Sequence, residues 1–331
     1  MPDETDRVCC HSGPTLTRQV AIVTGGNAGV GYYTVLALLR KNAKVYLAAR
    51  SEERAREAIA KLEKEDGVKG SVEWLPLDLA SLKSIKQAAD MFLQKKTQLD
   101  MLFNSAGVLL PKVCVQGPAT DARKLGEKTT DGYEIHMGVN ALGHYYFTKL
   151  LIPALLASAK ATPARPPRVC FTSSIAHRWF TTSKGFDPED YAQVNAWRPV
   201  GMPAAARAYG TSKLANVLTA NAMKREYGAQ GIVFVSANPG NLRTELYRDY
   251  RQGVDRALLG AVWRTFLYPQ ELGCVTQLYA VTAPETAEMG GAYFAPWARR
   301  ATPTAAARNE KTQDALIQWF NEQIAKHMGS A

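Results

Sequence analysis

Tyr209 and Lys213 stand four residues apart in AYGTSKLAN (208–216), and on a helix that spacing puts both side chains on one face. A phenol, with an ordinary pKa of about 10, is a poor acid–base group near neutrality unless a neighbouring ammonium favours its phenolate. Such a pair can hand a proton to an oxygen on which negative charge develops, or take one from it. Spacing alone does not identify it. In 331 residues with 14 tyrosines and 19 lysines, chance supplies about one such pair. The chain holds a second, Tyr145 and Lys149, inside the apolar stretch ALGHYYFTKLLIPALLASA. The surrounding elements therefore have to decide.

A glycine-rich loop, TGGNAGVG (24–31), joins the apolar run QVAIVT (19–24) to GYYTVLALLRKN, which reads as a helix. In that setting Gly25 allows the tight turn, Gly29 lets the backbone approach a pyrophosphate at the helix N-terminus, and Gly31 permits close packing. Strand and helix signals go on alternating: KVYLAA (44–49), a solvated helix capped by Ser51, SVEWLPL, SLKSIKQAADMFLQK and LDMLFN. RVCFTSS (168–174), GIVFVSA (231–237) and GAYFA (291–295) read as further strands. This order predicts an α/β fold: a single-domain, doubly wound parallel sheet of Rossmann type, with helices on both faces and right-handed crossovers. An acid after the second strand would bind ribose hydroxyls and repel a 2′-phosphate. The chain has Ala49 and then Arg50, whose guanidinium can pair with phosphate, so NADP(H) is predicted over NAD(H).

The pattern breaks in a few places. Residues 1–17 read as a flexible tail, 18–298 as the domain with inserted loops near 111–129 and 175–207, and 299–331 as a C-terminal extension packed on it. A long helix is expected from about 133 to 158, kinked or broken at Pro153. Composition is that of a globular protein, 46% hydrophobic and 21% charged. The net charge of +10 is scattered, which argues against a nucleic-acid partner. No run of 18 apolar residues occurs, and MPDETDRVCCHSG carries acids where a signal peptide would be basic and then apolar. A cytoplasmic protein without an integral membrane segment is expected. Five irregularly spaced cysteines read as reduced thiols, and His136, His144 and His177, which lack ligand spacing, as packing or hydrogen-bonding residues. No metal site is predicted.

The glycine loop, LDLAS (77–81), NSAG (104–107), VNALGHYYFT (139–148), TSS (172–174), YGTSK (209–213) and PGNLRT (239–244) occur in the order of the short-chain dehydrogenase/reductase family, which the chain resembles over roughly residues 18–298. TDGYEIHMGVNALGHYYFT (130–148), SSIAH, YGTSKLANVL and PGNLRTEL are most similar to its retinol-dehydrogenase-like branch. The resemblance implies that Tyr209 is the acid–base group and that Lys213 lowers its pKa and holds the nicotinamide ribose. It also implies that Asn140 supports a proton-conducting water. Ser174 would orient the substrate oxygen, with Ser173 as the alternative. Gly25, Asn27, Ala28, Gly29, Val30, Gly31, Asp78, Leu79, Asn104, Ala106, Gly107, Pro239, Gly240, Leu242 and Thr244 would line the cofactor cleft. Ser105 stands where the family carries a second asparagine. Tyr145–Lys149 falls where the family has packing residues. Relatives often pair through the helices carrying Asn140 and Tyr209, so a homodimer is possible.

The loop between Ser174 and Tyr209 is long and aromatic, with Trp179, Phe180, Phe186, Tyr191 and Trp197, and Tyr247, Tyr250, Trp263 and Phe266 follow PGNLRT. With Trp179, Phe180 and Tyr247 as substrate contacts, the expected substrate is a bulky, mainly apolar carbonyl or alcohol of polyketide, terpenoid, steroid or retinoid type. An epimerase or double-bond reductase using the same residues, or a non-catalytic NADP-binding sensor, are the alternatives.

Overall fold

Apolar and β-branched residues fill the inner strands: β1 (Val20–Thr24), β2 (Lys44–Ala49), β4 (Met101–Asn104), β5 (Arg168–Thr172) and β6 (Val233–Ala237) are buried nearly throughout. A strand buried on both faces needs cover on both, and helices supply it. The computed structural model describes residues 14–109, 128–181, 186–187, 202–242 and 267–329. With β3 (Ser71–Pro76), β7 (Tyr293–Ala295) and β8 (Arg299–Ala301), the described strands form one sheet in the order β3-β2-β1-β4-β5-β6-β7-β8. Strands β1 to β7 are parallel and β8 is antiparallel to β7. The order reverses between β1 and β4, and the carboxyl ends of strands at such a point form a ligand-binding crevice.

Alternate residues along each strand serve opposite layers. Ala21 and Val23 join the core beneath α1 (Gly29–Arg40), α2 (Glu52–Leu62) and α7 (Gly273–Thr282). Val20 and Ile22 join the core beneath α3 (Leu82–Lys95), α4 (Gly143–Ala161), α6 (Met202–Tyr227) and α9 (Glu310–Met328). Two short helices, α5 (Ala176–Trp179) and α8 (Ala305–Arg308), complete the set used below. Ser51 caps α2 as its sequence predicts, its Oγ accepting the Arg54 N–H. Among the described residues, no helix is long and apolar enough to cross a membrane.

Of the kink or break expected at Pro153, the break does not occur, since α4 runs through the proline to Ala161. The proline lies on the exposed face, where water can serve the carbonyl that its missing N–H leaves unpaired. A further irregularity lies earlier, in a π-helical turn from Met137 to Leu142 that contains Asn140. The last strand, β8, is too short and polar (RRA) to show a strand pattern. Phe320 of α9 is fully buried in the larger core. Phe320→Ala is expected to cost about 3 to 5 kcal/mol in a denaturant titration, which tests whether the last helix belongs to the cooperative unit.

Candidate active site

Helix α6 brings Tyr209 and Lys213 to the carboxyl end of β5. Lys213 is 4% exposed, and its Nζ donates to the carbonyl of Thr172, the last residue of β5, at 3.0 Å. The same Nζ stands 5.6 Å from the centroid of the Tyr209 ring. Burial pulls the lysine pKa from 10.5 down to about 8. Asn140 is fully buried and grips the Val108 peptide from both sides, Nδ2 donating to its carbonyl (3.0 Å) and Oδ1 accepting its N–H (2.8 Å). Its second amide hydrogen goes to Ser212 Oγ, which in turn donates to the Tyr209 carbonyl. A Cβ on Gly107 would sit 3.3 Å from Asn140 Oδ1 and 3.5 Å from Lys213 Nζ, so the NSAG turn lies directly against both groups.

The two candidate serines behave differently. Ser173 is buried and donates to the Lys213 carbonyl at 2.8 Å, tying β5 to α6. Ser174 is only partly buried, and its Oγ accepts the Ala176 N–H at 3.2 Å. Helix α5 then lies so close to α6 that a Cβ on Gly210 would meet the Ala176 carbonyl and Phe180 Cβ at 2.8 Å. Ser174 and Tyr209 are thus carried on two segments in direct contact.

The glycine loop faces this group across the NSAG turn. Gly25 has φ +68°, and a Cβ there would approach Ala106 Cα to 2.9 Å; one on Gly31 would collide with the Gly25 carbonyl at 2.3 Å. Helix α1 starts at Gly29 with Ala28 as an N-cap that makes no side-chain bond, and its first turn contains no acid. Uncapped N–H groups, an unopposed positive helix end and a backbone stripped of side chains suit a pyrophosphate, so the residues present fit a dinucleotide. Around that cradle, Val30 and Leu242 both close on Gly273, where a Cβ would meet them at 2.7 and 2.2 Å. Asp78 Oδ1 is held by the Ala80 N–H, and Leu79 packs its carbonyl against Gly143. Pro239 and Gly240 follow β6, with the Gly240 N–H bonded to Asn238 Oδ1. Arg50 is exposed just beyond β2, and Asn27 is half-buried in the loop itself. Asn104 turns inward instead: its side chain is fully buried and donates to Thr148, so any part it takes in lining the cleft is through the backbone. Thr244 and Tyr247 lie outside the described residues.

The competing pair proves to be a joint. Tyr145 Oη and Lys149 Nζ both donate to Oδ1 of Asn321, at 2.9 and 2.7 Å, and the Tyr145 ring stacks on Phe320. Burial pushes the Tyr145 phenol well above its ordinary range, away from acid–base use near neutrality.

One buried histidine connects the two halves of the cleft. Thr24 Oγ1 accepts the N–H groups of Ser105 and Ala106, each at 2.9 Å, which leaves its hydroxyl hydrogen for His144 Nε2, also at 2.9 Å. His144 Nδ1 donates to the Asn140 carbonyl at 2.9 Å. Burial drives the His144 pKa down to about 3, so the ring is neutral and the tautomer follows from its partners. Sequence reading assigns His144 only a general hydrogen-bonding role; the sequence signal is its position four residues after Asn140.

Comparison with known proteins supplies the family. The family model described as short chain dehydrogenase matches residues 19–178. A short-chain dehydrogenase/reductase of Armillaria gallica is 42% identical over 86% of this chain and 84% of its own. One of Phomopsis amygdali is 40% identical over 90% and 83%. The chain belongs to the short-chain dehydrogenase/reductase family. These relatives do not single out the retinol-dehydrogenase-like branch. The fold matches solved structures: an uncharacterised protein from Mycobacterium paratuberculosis has a TM-score of 0.68 at 24% identity, covering 95% of this chain and 96% of that one. The NADP complex of RhlG from Pseudomonas aeruginosa has a TM-score of 0.63 at 22% identity, covering 85% and 95%.

Several further contacts surround the cleft. Ser105, in place of asparagine, keeps its N–H on Thr24 and brings its Oγ to 3.4 Å from Gln277 Oε1. Gln277, buried in α7, also receives the Thr172 hydroxyl and donates to Thr34, which joins β4, β5 and α1 beneath the cleft. Of the loop aromatics, Phe186 is buried against Trp319. Trp179 and Phe180 are both exposed, 66% and 43%, although Phe180 Cβ lies against Gly210. Replacing Lys213 by Met removes a buried charge while Asn216 keeps the Thr172 carbonyl bonded. Because the folded-state pKa of about 8 lies below 10.5, unfolding takes up a proton between those values. The stability penalty of the lysine is therefore full below pH 8 and vanishes as the pH rises towards 10.5. Lys213→Met is expected to be more stable at pH 7 by about 1 to 3 kcal/mol, a margin lost towards pH 10 in nucleotide-free denaturant titrations.

Proposed function

We propose that this short-chain dehydrogenase/reductase interconverts a carbonyl and an alcohol on a bulky, mainly apolar small molecule, using NADP(H), with Tyr209 as the acid–base group. The observation that carries the reading is a chain of contacts. Gly25 lies on Ala106, and the next residue, Gly107, lies on Asn140 and Lys213, so the glycine loop and the Tyr–Lys pair share one cleft. When bound, the reduced dinucleotide supplies hydride to the carbonyl carbon. Tyr209 gives its phenolic proton to the oxygen as charge develops there, and the Lys213 ammonium favours the phenolate left behind. Ser174, whose hydroxyl is not turned into the core as that of Ser173 is, hydrogen-bonds the substrate oxygen. Asn140 holds the Val108 peptide and, through Ser212, the backbone of Tyr209, keeping proton donor and cofactor wall in register.

For the nucleotide, exposed Arg50 and the missing acid at Ala49 favour a 2′-phosphate. Phe180, whose Cβ lies beside Gly210 of α6 while the residue stays 43% exposed, offers apolar surface that supports an apolar substrate. Two experiments test the reading. On a panel of apolar ketones and aldehydes, Tyr209→Phe is expected to lower kcat at least about a hundredfold while Tyr145→Phe retains most turnover; the opposite result defeats the assignment. Arg50→Asp is expected to weaken NADPH binding at least about tenfold and leave NADH binding equal or tighter, measured by nucleotide fluorescence; unchanged NADPH affinity defeats the cofactor assignment.

A further inference from the structure

Two buried ionisable groups beside Tyr209 have no part in the chemistry above. Glu134, 6% exposed, and His136, 2% exposed, meet at 2.5 Å between Oε1 and Nδ1, where the helix carrying Asn140 begins. The Glu134 carboxylate also accepts the backbone N–H groups of His136 and Met137, each at 3.0 Å. Burial opposes its charge, yet His136 and these two donors hold the carboxyl below its ordinary pKa. A carboxylate only accepts hydrogen bonds, so His136 Nδ1 carries the hydrogen.

The cap of this helix is made by the two backbone bonds, and an aspartate or serine could make it without a buried imidazole. The third bond does something else, because it sets the plane of the His136 ring. That ring meets the ring of Tyr209 edge-to-face, with centroids 6.0 Å apart and planes at 75°. Lys213 Nζ stands 5.6 Å from the centroid of the same tyrosine ring. The other histidines near the cleft are turned elsewhere: His144 bonds Thr24 and the Asn140 carbonyl, and His177 bonds the Ser174 carbonyl and packs on Tyr293. Arg178, on α5, reaches the Thr302 carbonyl.

We propose that Glu134 and His136 are positioning residues for Tyr209: the carboxylate fixes the imidazole, and the imidazole fixes the phenol ring so that its hydroxyl faces the substrate oxygen. This rests on Tyr209 being the proton donor. A phenol free to swing away by about 1 Å loses its alignment with the reacting atom, at a cost of up to about a hundredfold in rate, while the nucleotide site is untouched.

The test uses the full chain with NADPH and the carbonyl panel, comparing wild type, Tyr209→Phe, His136→Phe, His136→Gln and Glu134→Gln. His136→Phe is expected to lower kcat about tenfold or more with NADPH affinity within about twofold of wild type. His136→Gln, whose amide N–H can still donate to Glu134, is expected to recover kcat to within about threefold of wild type. Glu134→Gln spares the volume but turns one of the two acceptor oxygens into an NH2 donor, so it cannot serve both the Met137 N–H and the His136 ring, and it is expected to fall as His136→Phe does. If His136→Phe does not fold, the contrast between His136→Gln and Glu134→Gln carries the test, and equal kcat in those two overturns the proposal. A His136→Phe enzyme with unchanged kcat, or one whose nucleotide affinity falls as far as its kcat, also overturns it. Tyr209→Phe separates the two levels. If that variant is active, or wild type turns over nothing on the panel, the assignment of the site fails and this inference with it. If Tyr209→Phe is inactive while His136→Phe is unimpaired, only the positioning role fails.

Discussion

The ammonium of Lys213 is buried with no carboxylate paired to it among the described residues, and much of the architecture at the carboxyl end of the sheet follows from what that charge needs. Water is excluded, so dipoles and a π face must take its place. The Thr172 carbonyl can do so only because β5 ends there, and the Tyr209 ring only because α6 puts it one turn away. Both conditions require β5 and α6 to lie in firm contact, which the bond from Ser173 to the Lys213 carbonyl provides. Burial lowers the pKa of this ammonium to about 8, which fits its proposed role of biasing the neighbouring phenol.

The second constraint is that three separate segments must keep register around that charge. The π-helical turn at Met137–Leu142 presents Asn140, with its side chain on the Val108 peptide and its carbonyl on His144. From His144 the hydrogen bonds continue to Thr24, at the end of β1, and then to the NSAG backbone. Every member of this path is a neutral dipole, so its geometry is insensitive to pH over the range in which Lys213 titrates. These bonds converge where the glycine loop, the NSAG turn and the Tyr209–Lys213 pair come together.

How much of this could be read beforehand depended on whether backbone or tertiary contact carried the signal. The glycine loop and the strand order were legible because positive φ and close backbone approach demand glycine, and buried parallel strands demand apolar runs. The two Tyr–Lys pairs could not be told apart by spacing. What separates them physically is Asn321, some 170 residues further on, which no local pattern reveals. The π-helical turn leaves no residue signature, whereas Pro153 leaves a strong one that the exposed helix face absorbs. Asn104 shows the same limit, since a residue type suited to a cleft can instead be spent on a buried bond, here to Thr148.

Asn321 has a consequence for assembly. The resemblance pointed to the helices carrying Asn140 and Tyr209 as a surface through which relatives pair. In this chain Leu316, Trp319, Phe320 and Ile324 of α9 share a core with residues of α4 and α6, and Asn321 takes both polar groups of the Tyr145–Lys149 edge. Arg225, further along α6, is held by Glu310 and Asp314 of α9. The chain's own α9 thus covers part of α4 and α6, leaving less of those two helices open to any other partner.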